Sequence, residues 1–170
     1  GLMSSADTPM MPKPWNLKTF EIGVPLDCFL EFAPLVLLWK SRVEGGPLPS
    51  WSSLTPHDLL PWLGWIAVED FTNPPVELKC RLWGTQLTEL YGYDLTGRRL
   101  SQDMERRGIL NEDLSFYEEL FDHRRIGLGA GSISWQRREH VSIHRIFLPC
   151  ASDGLAVDTL LSCAKPATFS

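Results

Sequence analysis

His140 and His144 flank Ser142 in a run of alternating character, and Glu118 and Glu119 stand side by side a little upstream. These are the residues that could do chemistry, as metal ligands, nucleophile and base, or an acid-base pair. In an extended chain, positions four apart lie about 13 Å from each other, too far for two direct ligands of one metal. Adjacent carboxylates on a helix diverge, so Glu118 and Glu119 do not form an acid-base pair. Ser, His and Asp all occur, yet no GxSxG elbow holds a serine at a strand-to-helix turn. "GLGAGS" (residues 127–132) follows a helical pattern instead of opening a helix after a strand, so it is no dinucleotide loop and reads as linker. No catalytic or metal-binding constellation emerges, and a non-enzymatic role is expected.

Cys28, Cys80, Cys150 and Cys163 have no CxxC spacing and sit in apolar stretches, so they read as reduced core thiols. Eleven of the sixteen cations are arginine, eight of them in the pairs Arg98-Arg99, Arg106-Arg107, Arg124-Arg125 and Arg137-Arg138. Acids interleave with them, which favours a solvated, salt-bridged face over a site for a small anion or an acidic partner. A net charge of -5 disfavours nucleic acid and anionic lipid as partners.

Elements must position these residues, and 170 residues with 44% hydrophobic content can build one domain with a real core. Residues 1–26 read as an extended arm anchored by Trp15 and Phe20, and residues 27–165 as one domain. "DCFLEFAPLVLLWKSRV" (27–43) reads as a helix with Asp27 as its cap and Pro34 marking a kink or a late start. Nearly every face of it is apolar, so it is either sandwiched in the domain or half-buried against a second copy. Leu35, Leu37, Leu38 and Trp39 are the interface candidates. The densest apolar run is too short for the about 20 residues that span a bilayer, and no secretion signal is evident, so a cytoplasmic protein is expected.

"LTPHDLL" (54–60) carries Thr55, Pro56 and Asp58 where a short helix would start. "WLGWIAVED" and "VELKCRLWG" read as a hairpin, the second alternating with Val76, Leu78, Cys80 and Leu82 on one side. Gly84 ends that strand, Thr85 caps a short helix with Leu87, Leu90 and Tyr91 facing inward, and Gly92 stops it. Residues 111–127 form the clearest helix, with a stripe of Leu114, Tyr117, Leu120 and Phe121. "GSISWQR", "HVSIHRIFLP" and "LAVDTLLSCA" then read as three strands of a meander.

This order, with "TQLTELYG" and "LYGYDLTGRRLSQD", resembles the PAS domain. The stretches "LPSWSSLTPHDLLPWLGWIAVED", "CRLWGTQLTELYGYDLTGRRL" and "RIFLPCASDGLAVDTLL" resemble more specifically a PAS-like family of small proteobacterial proteins of unassigned activity. The match covers roughly residues 28 to 163. It departs from the commoner pattern in a short span between Gly92 and Gly97 and in the loop before the long helix. The resemblance implies an α+β fold: a five-stranded antiparallel sheet with helices on one face, plus the N-terminal helix, enclosing a pocket.

Candidates to line that pocket are Trp83, Tyr91, Tyr93, Tyr117, Phe121 and Trp135, with Arg81 or Arg145 as polar anchors. For each aromatic, plain core packing is the simpler role. Flavin photochemistry is not expected, since "TQLTELYG" lacks a cysteine. Haem would need an axial histidine such as His123, but an exposed cation at a helix carboxyl end explains that residue more simply. The resemblance implies a sensory or ligand-binding module for a small molecule, with output through a partner protein or a homodimer. A ligand-free interaction module and, less readily, a small-molecule enzyme are the alternatives.

Overall fold

A computed structural model describes residues 15–72, 77–99, 110–133 and 141–167. Its centre is one antiparallel sheet of six strands in the order β1-β4-β5-β6-β2-β3. The strands are β1 (Asn16–Phe20), β2 (Ile66–Thr72), β3 (Glu77–Trp83), β4 (Ile126–Ile133), β5 (Val141–Cys150) and β6 (Thr159–Pro166). The sheet exceeds the expected five strands because residues 16–20 of the expected arm form a strand, paired from Asn16 opposite Ala130 to Phe20 opposite Ile126.

The glycines of "GLGAGS" belong to β4 and are not linker. Gly127, Gly129 and Gly131 line one face of that strand, where a Cβ on Gly127 would collide with the Phe116 ring and one on Gly131 with the Trp15 indole. Aromatic rings thus pack directly on the bare backbone of β4, a use of strand glycine that alternation rules misread as a break.

The helix expected over residues 27–43 begins as a 3-10 segment, Leu26–Phe32, and becomes α1 (Ala33–Ser41) only at Pro34, which sits in the first turn where its missing N–H costs nothing. Leu30, at φ 56° and ψ -136°, breaks the helical path inside the 3-10 segment. The start expected at Thr55 is a turn rather than a helix. Thr55 and Asp58 exchange side-chain and backbone hydrogen bonds of 2.9 to 3.1 Å, and the 3-10 segment Leu60–Trp65 follows. α2 (Thr85–Tyr91) ends on Gly92 in the left-handed region at φ 86°. α3 (Leu110–Asp122) stops short of the expected residue 127.

Helices cover both faces of the sheet, not one. On the first face Phe29, Phe32, Leu35, Val36 and Trp39 pack on Ile66, Val68, Ile126, Leu128, Ile146, Leu148, Leu161 and Cys163. Leu35 and Trp39 are fully buried there, so two of the four interface candidates belong to the chain's own core; Leu38 is half-buried and Leu37 is exposed. Trp39 also donates its indole N–H to the Pro149 carbonyl at 3.0 Å. On the opposite face α3 lays Phe116, Tyr117 and Leu120 against Leu78, Phe147 and Leu160, while α2 sets Leu87 beside Ala67, Cys80, Trp83, Ile143 and Ala164. Arg125 ties β1 to the end of α3, donating to the Thr19 hydroxyl and carbonyl at 2.8 and 3.1 Å. No helix among the described residues is long and apolar enough to cross a membrane.

Candidate functional site

A register shift opposite Val68 and Glu69 creates the site. Val68 pairs with Leu82 but Glu69 pairs with Cys80, so Arg81 is the extra residue of a β-bulge. Strict alternation would send Cys80 and Leu82 to one side. The bulge instead turns Cys80 and Trp83 to the α2 face and leaves Leu82 39% exposed, against 8% for Trp83. Arg81 points outward, where it pairs with Asp70 at 2.9 Å, both half exposed, so it is not a pocket anchor.

Facing Cys80 and Trp83 across the sheet are Glu69 from β2, Arg145 from β5 and Ser162 from β6, neighbours through the pairs Glu69 with Leu160 and Arg145 with Ala164. Glu69 and Ser162 are buried polar groups on strands that are otherwise apolar. Arg145 donates to the Ser162 hydroxyl through Nη2 at 2.9 Å and Nε at 3.3 Å, and Nη2 lies 3.5 Å from a Glu69 carboxylate oxygen. The guanidinium also sits over two rings, 5.0 Å from the Phe147 centroid and 5.9 Å from that of Trp83.

Burial works against the charge of Arg145, but Tyr91, Tyr117 and Glu69 outweigh it and push its pKa above the ordinary value. Burial raises the Glu69 carboxyl, with Arg145 opposing. The Cys80 thiol is pushed up to about 12, first by burial and then by Glu69, so at neutral pH it is no nucleophile.

Between these groups lies a cavity of about 30 Å³ lined by Glu69, Cys80, Trp83, Leu95, Arg98, Arg99 and Arg145. Its outer wall is the segment after α2. Asp94 accepts from the Thr96 amide and hydroxyl at 2.8 and 2.6 Å, which draws the chain into a turn. The segment then lies along the free edge of β3, with Gly97 N donating to Cys80 O at 2.7 Å and Cys80 N to Arg98 O at 2.9 Å. Trp83 is pinned by donating its indole N–H to Tyr93 O at 3.0 Å, with the Tyr93 ring stacked on it at 6.5 Å.

Of the sequence-derived pocket candidates, Trp83 and Arg145 line the cavity and Tyr91 and Tyr117 stand close behind Arg145. Tyr93 is exposed and buttresses Trp83 from outside, whereas Phe121 packs on Phe71 in the cluster under α3. Trp135 lies outside the described residues. His123 is exposed just past α3. His144 faces the other side of the sheet, where its Nδ1 lies 2.7 Å from a Glu31 carboxylate oxygen. Among the described residues no three His, Cys, Asp or Glu side chains gather into a metal cage.

Sequence reasoning missed Glu69, Cys80, Leu95, Arg98, Arg99 and Ser162. A carboxylate inside the apolar run "WIAVED" was the signal for Glu69. Arg98 and Arg99, read as part of a solvated face, are exposed but also edge the cavity.

No family model matches the chain, and no curated protein matches it. A solved structure described as "Structure of an RNA-binding Light-Oxygen-Voltage Receptor" is similar at 18% sequence identity and a TM-score of 0.48, over 73% of this chain and 37% of that one.

Proposed function

We propose that this chain is a PAS-like sensory or ligand-binding module. It takes a small molecule into the cavity between the sheet and the α2 side and passes the signal to a partner protein or to a second copy of itself. The observation that carries this reading is the cavity itself, because buried charge is costly and a core gains nothing by lining a void with Glu69 and Arg145. The bulge at Arg81 supports it too, since bulges re-aim side chains beside functional sites. The five strands other than β1, the short α2 and the Gly92–Gly97 segment agree with the resemblance drawn from the sequence. The exposed side of α1, at Leu37, is the surface offered to a partner.

Native mass spectrometry of the full chain as purified, beside a thermal-shift screen of small metabolites, tests this reading. A bound mass or a rise of several degrees for one chemical class is the expected result. A bare mass with no responsive class would leave a ligand-free interaction module. That second reading draws on the size of the cavity, about 30 Å³ where drug-sized ligands occupy roughly 300 Å³ or more. If Leu37→Glu leaves the oligomeric state and every partner contact unchanged, α1 is not the output surface.

A further inference from the structure

The cavity is asymmetric in charge. Among the described residues three arginines line it against one carboxylate, and that carboxylate lies 3.5 Å from Arg145, at the long end of an ion-pair contact. Arg145 is held by stacking on Phe147 and Trp83 and by its bonds to Ser162. A guanidinium fixed in this way is a preorganised planar fork. Arg98 and Arg99 stand at the mouth, where solvent still reaches them. The other described residues of the wall are apolar or neutral: the Trp83 indole, Leu95 and the Cys80 thiol.

From this arrangement we infer that the cavity takes a small organic carboxylate with an apolar body, its head between Arg145, Arg98 and Arg99 and its body along Trp83 and Leu95. The inference rests on the ligand-binding reading above and names its chemical class. A cation would meet three positive groups. A doubly charged phosphate would set two negative charges beside the Glu69 carboxyl in the same small space, whereas a carboxylate brings only one for the three arginines to balance. Size agrees: one water needs about 10 to 15 Å³ of such space, so 30 Å³ holds the two oxygens of a carboxylate with the body directed to the mouth.

The test uses the full chain and titrates benzoate, phenylacetate and hexanoate, with benzamide and inorganic phosphate as matched controls. Calorimetry gives affinity, and the Trp83 indole N–H resonance, assigned through Trp83→Phe, gives location. At least one carboxylate should bind with a Kd at or below about 1 mM and move that resonance, with benzamide and phosphate at least tenfold weaker. Arg98→Gln with Arg99→Gln changes only exposed side chains, so the fold is kept, and it should weaken the carboxylate about tenfold. Arg145→Lys keeps the charge, loses the fork and should weaken it further.

Equal affinity for benzamide, tighter binding of phosphate, or indifference to the Arg98/Arg99 change would each overturn the carboxylate. If none of the three acids binds up to 10 mM while mass spectrometry finds an uncharged ligand, the carboxylate fails and the ligand-binding reading stands. If nothing binds and the mass is bare, both fail.

Discussion

The two faces of the sheet are built to different rules. Against α1 and the 3-10 segment before it the core is continuous and apolar, with Phe29, Phe32, Leu35, Val36, Trp39 and Leu48 all fully buried and the part-buried His144–Glu31 contact as its polar exception. Against α2 and α3 the buried area is split into two smaller clusters, and a charged pair, a serine and a void lie between them. The first face holds the domain together. The second gives up apolar contact to keep polar groups out of water, and a chain tolerates that where the groups have something to do. Apolar packing and the buried polar groups around the cavity are thus set on opposite sides of the same strands, residue by alternate residue.

Substitutions can break that contrast. Trp39→Ala should cost the most, about 4 kcal/mol, since it removes the largest buried ring of the apolar face together with its bond to Pro149. Urea unfolding reads it, and a loss under 1 kcal/mol would mean that face is not the main core. Arg145→Met should cost about 3 kcal/mol by leaving Glu69 buried without its partner. Adding Glu69→Leu should recover most of that loss, and if it does not, the polar side is structural rather than held ready for a ligand. Gly131→Ala should cost about 2 kcal/mol, because its methyl meets the Trp15 indole. The loss should be accompanied by faster amide exchange along β1.

A smaller effect appears in pH. Burial holds the folded Glu69 pKa above its ordinary value of 4.5, so between those two values the native state keeps a proton that the unfolded chain releases. Its contribution to stability is therefore complete below about 4.5 and is lost as pH rises through the folded value. Arg145, Ser162, Cys80, Arg98, Arg99, Tyr91 and Tyr117 are the groups set around this pair. The difference in stability between the native chain and Glu69→Gln should shift steadily against the native chain across that window, and a flat difference would contradict the raised pKa. Least of all, Arg81→Ala should change stability by under about 1 kcal/mol, because its pair with Asp70 is half exposed.

Much of the architecture was legible in the chain. Alternation found β3, length and composition found β2, strand-type runs bounded by turns found β5 and β6, the stripe Leu114, Tyr117, Leu120 found α3, and Gly84 and Gly92 bracketed α2. Local patterns suffice there because each such segment meets one partner layer with one period. The same rule failed at Leu82, since a bulge changes which face a side chain takes without leaving a mark in composition. It failed again at Gly127, Gly129 and Gly131, whose backbone is covered by rings from Trp15 and Phe116, residues distant from most of the strand they cover.

By itself, then, the amino-acid sequence determined the types and order of α2, α3, β2, β3, β5 and β6 and the buried state of most of its thiols, since these depend on period, turn chemistry and apolar content. Only the tertiary structure decided that residues 16–20 join the sheet, that α1 is sandwiched in the chain's own core at Leu35 and Trp39, and that Glu69, Arg145 and Ser162 meet. Those meetings join strands β2, β5 and β6 across gaps of 17 and 76 residues. Register between strands so far apart is set by packing on both faces of the sheet at once, and no local pattern carries that information.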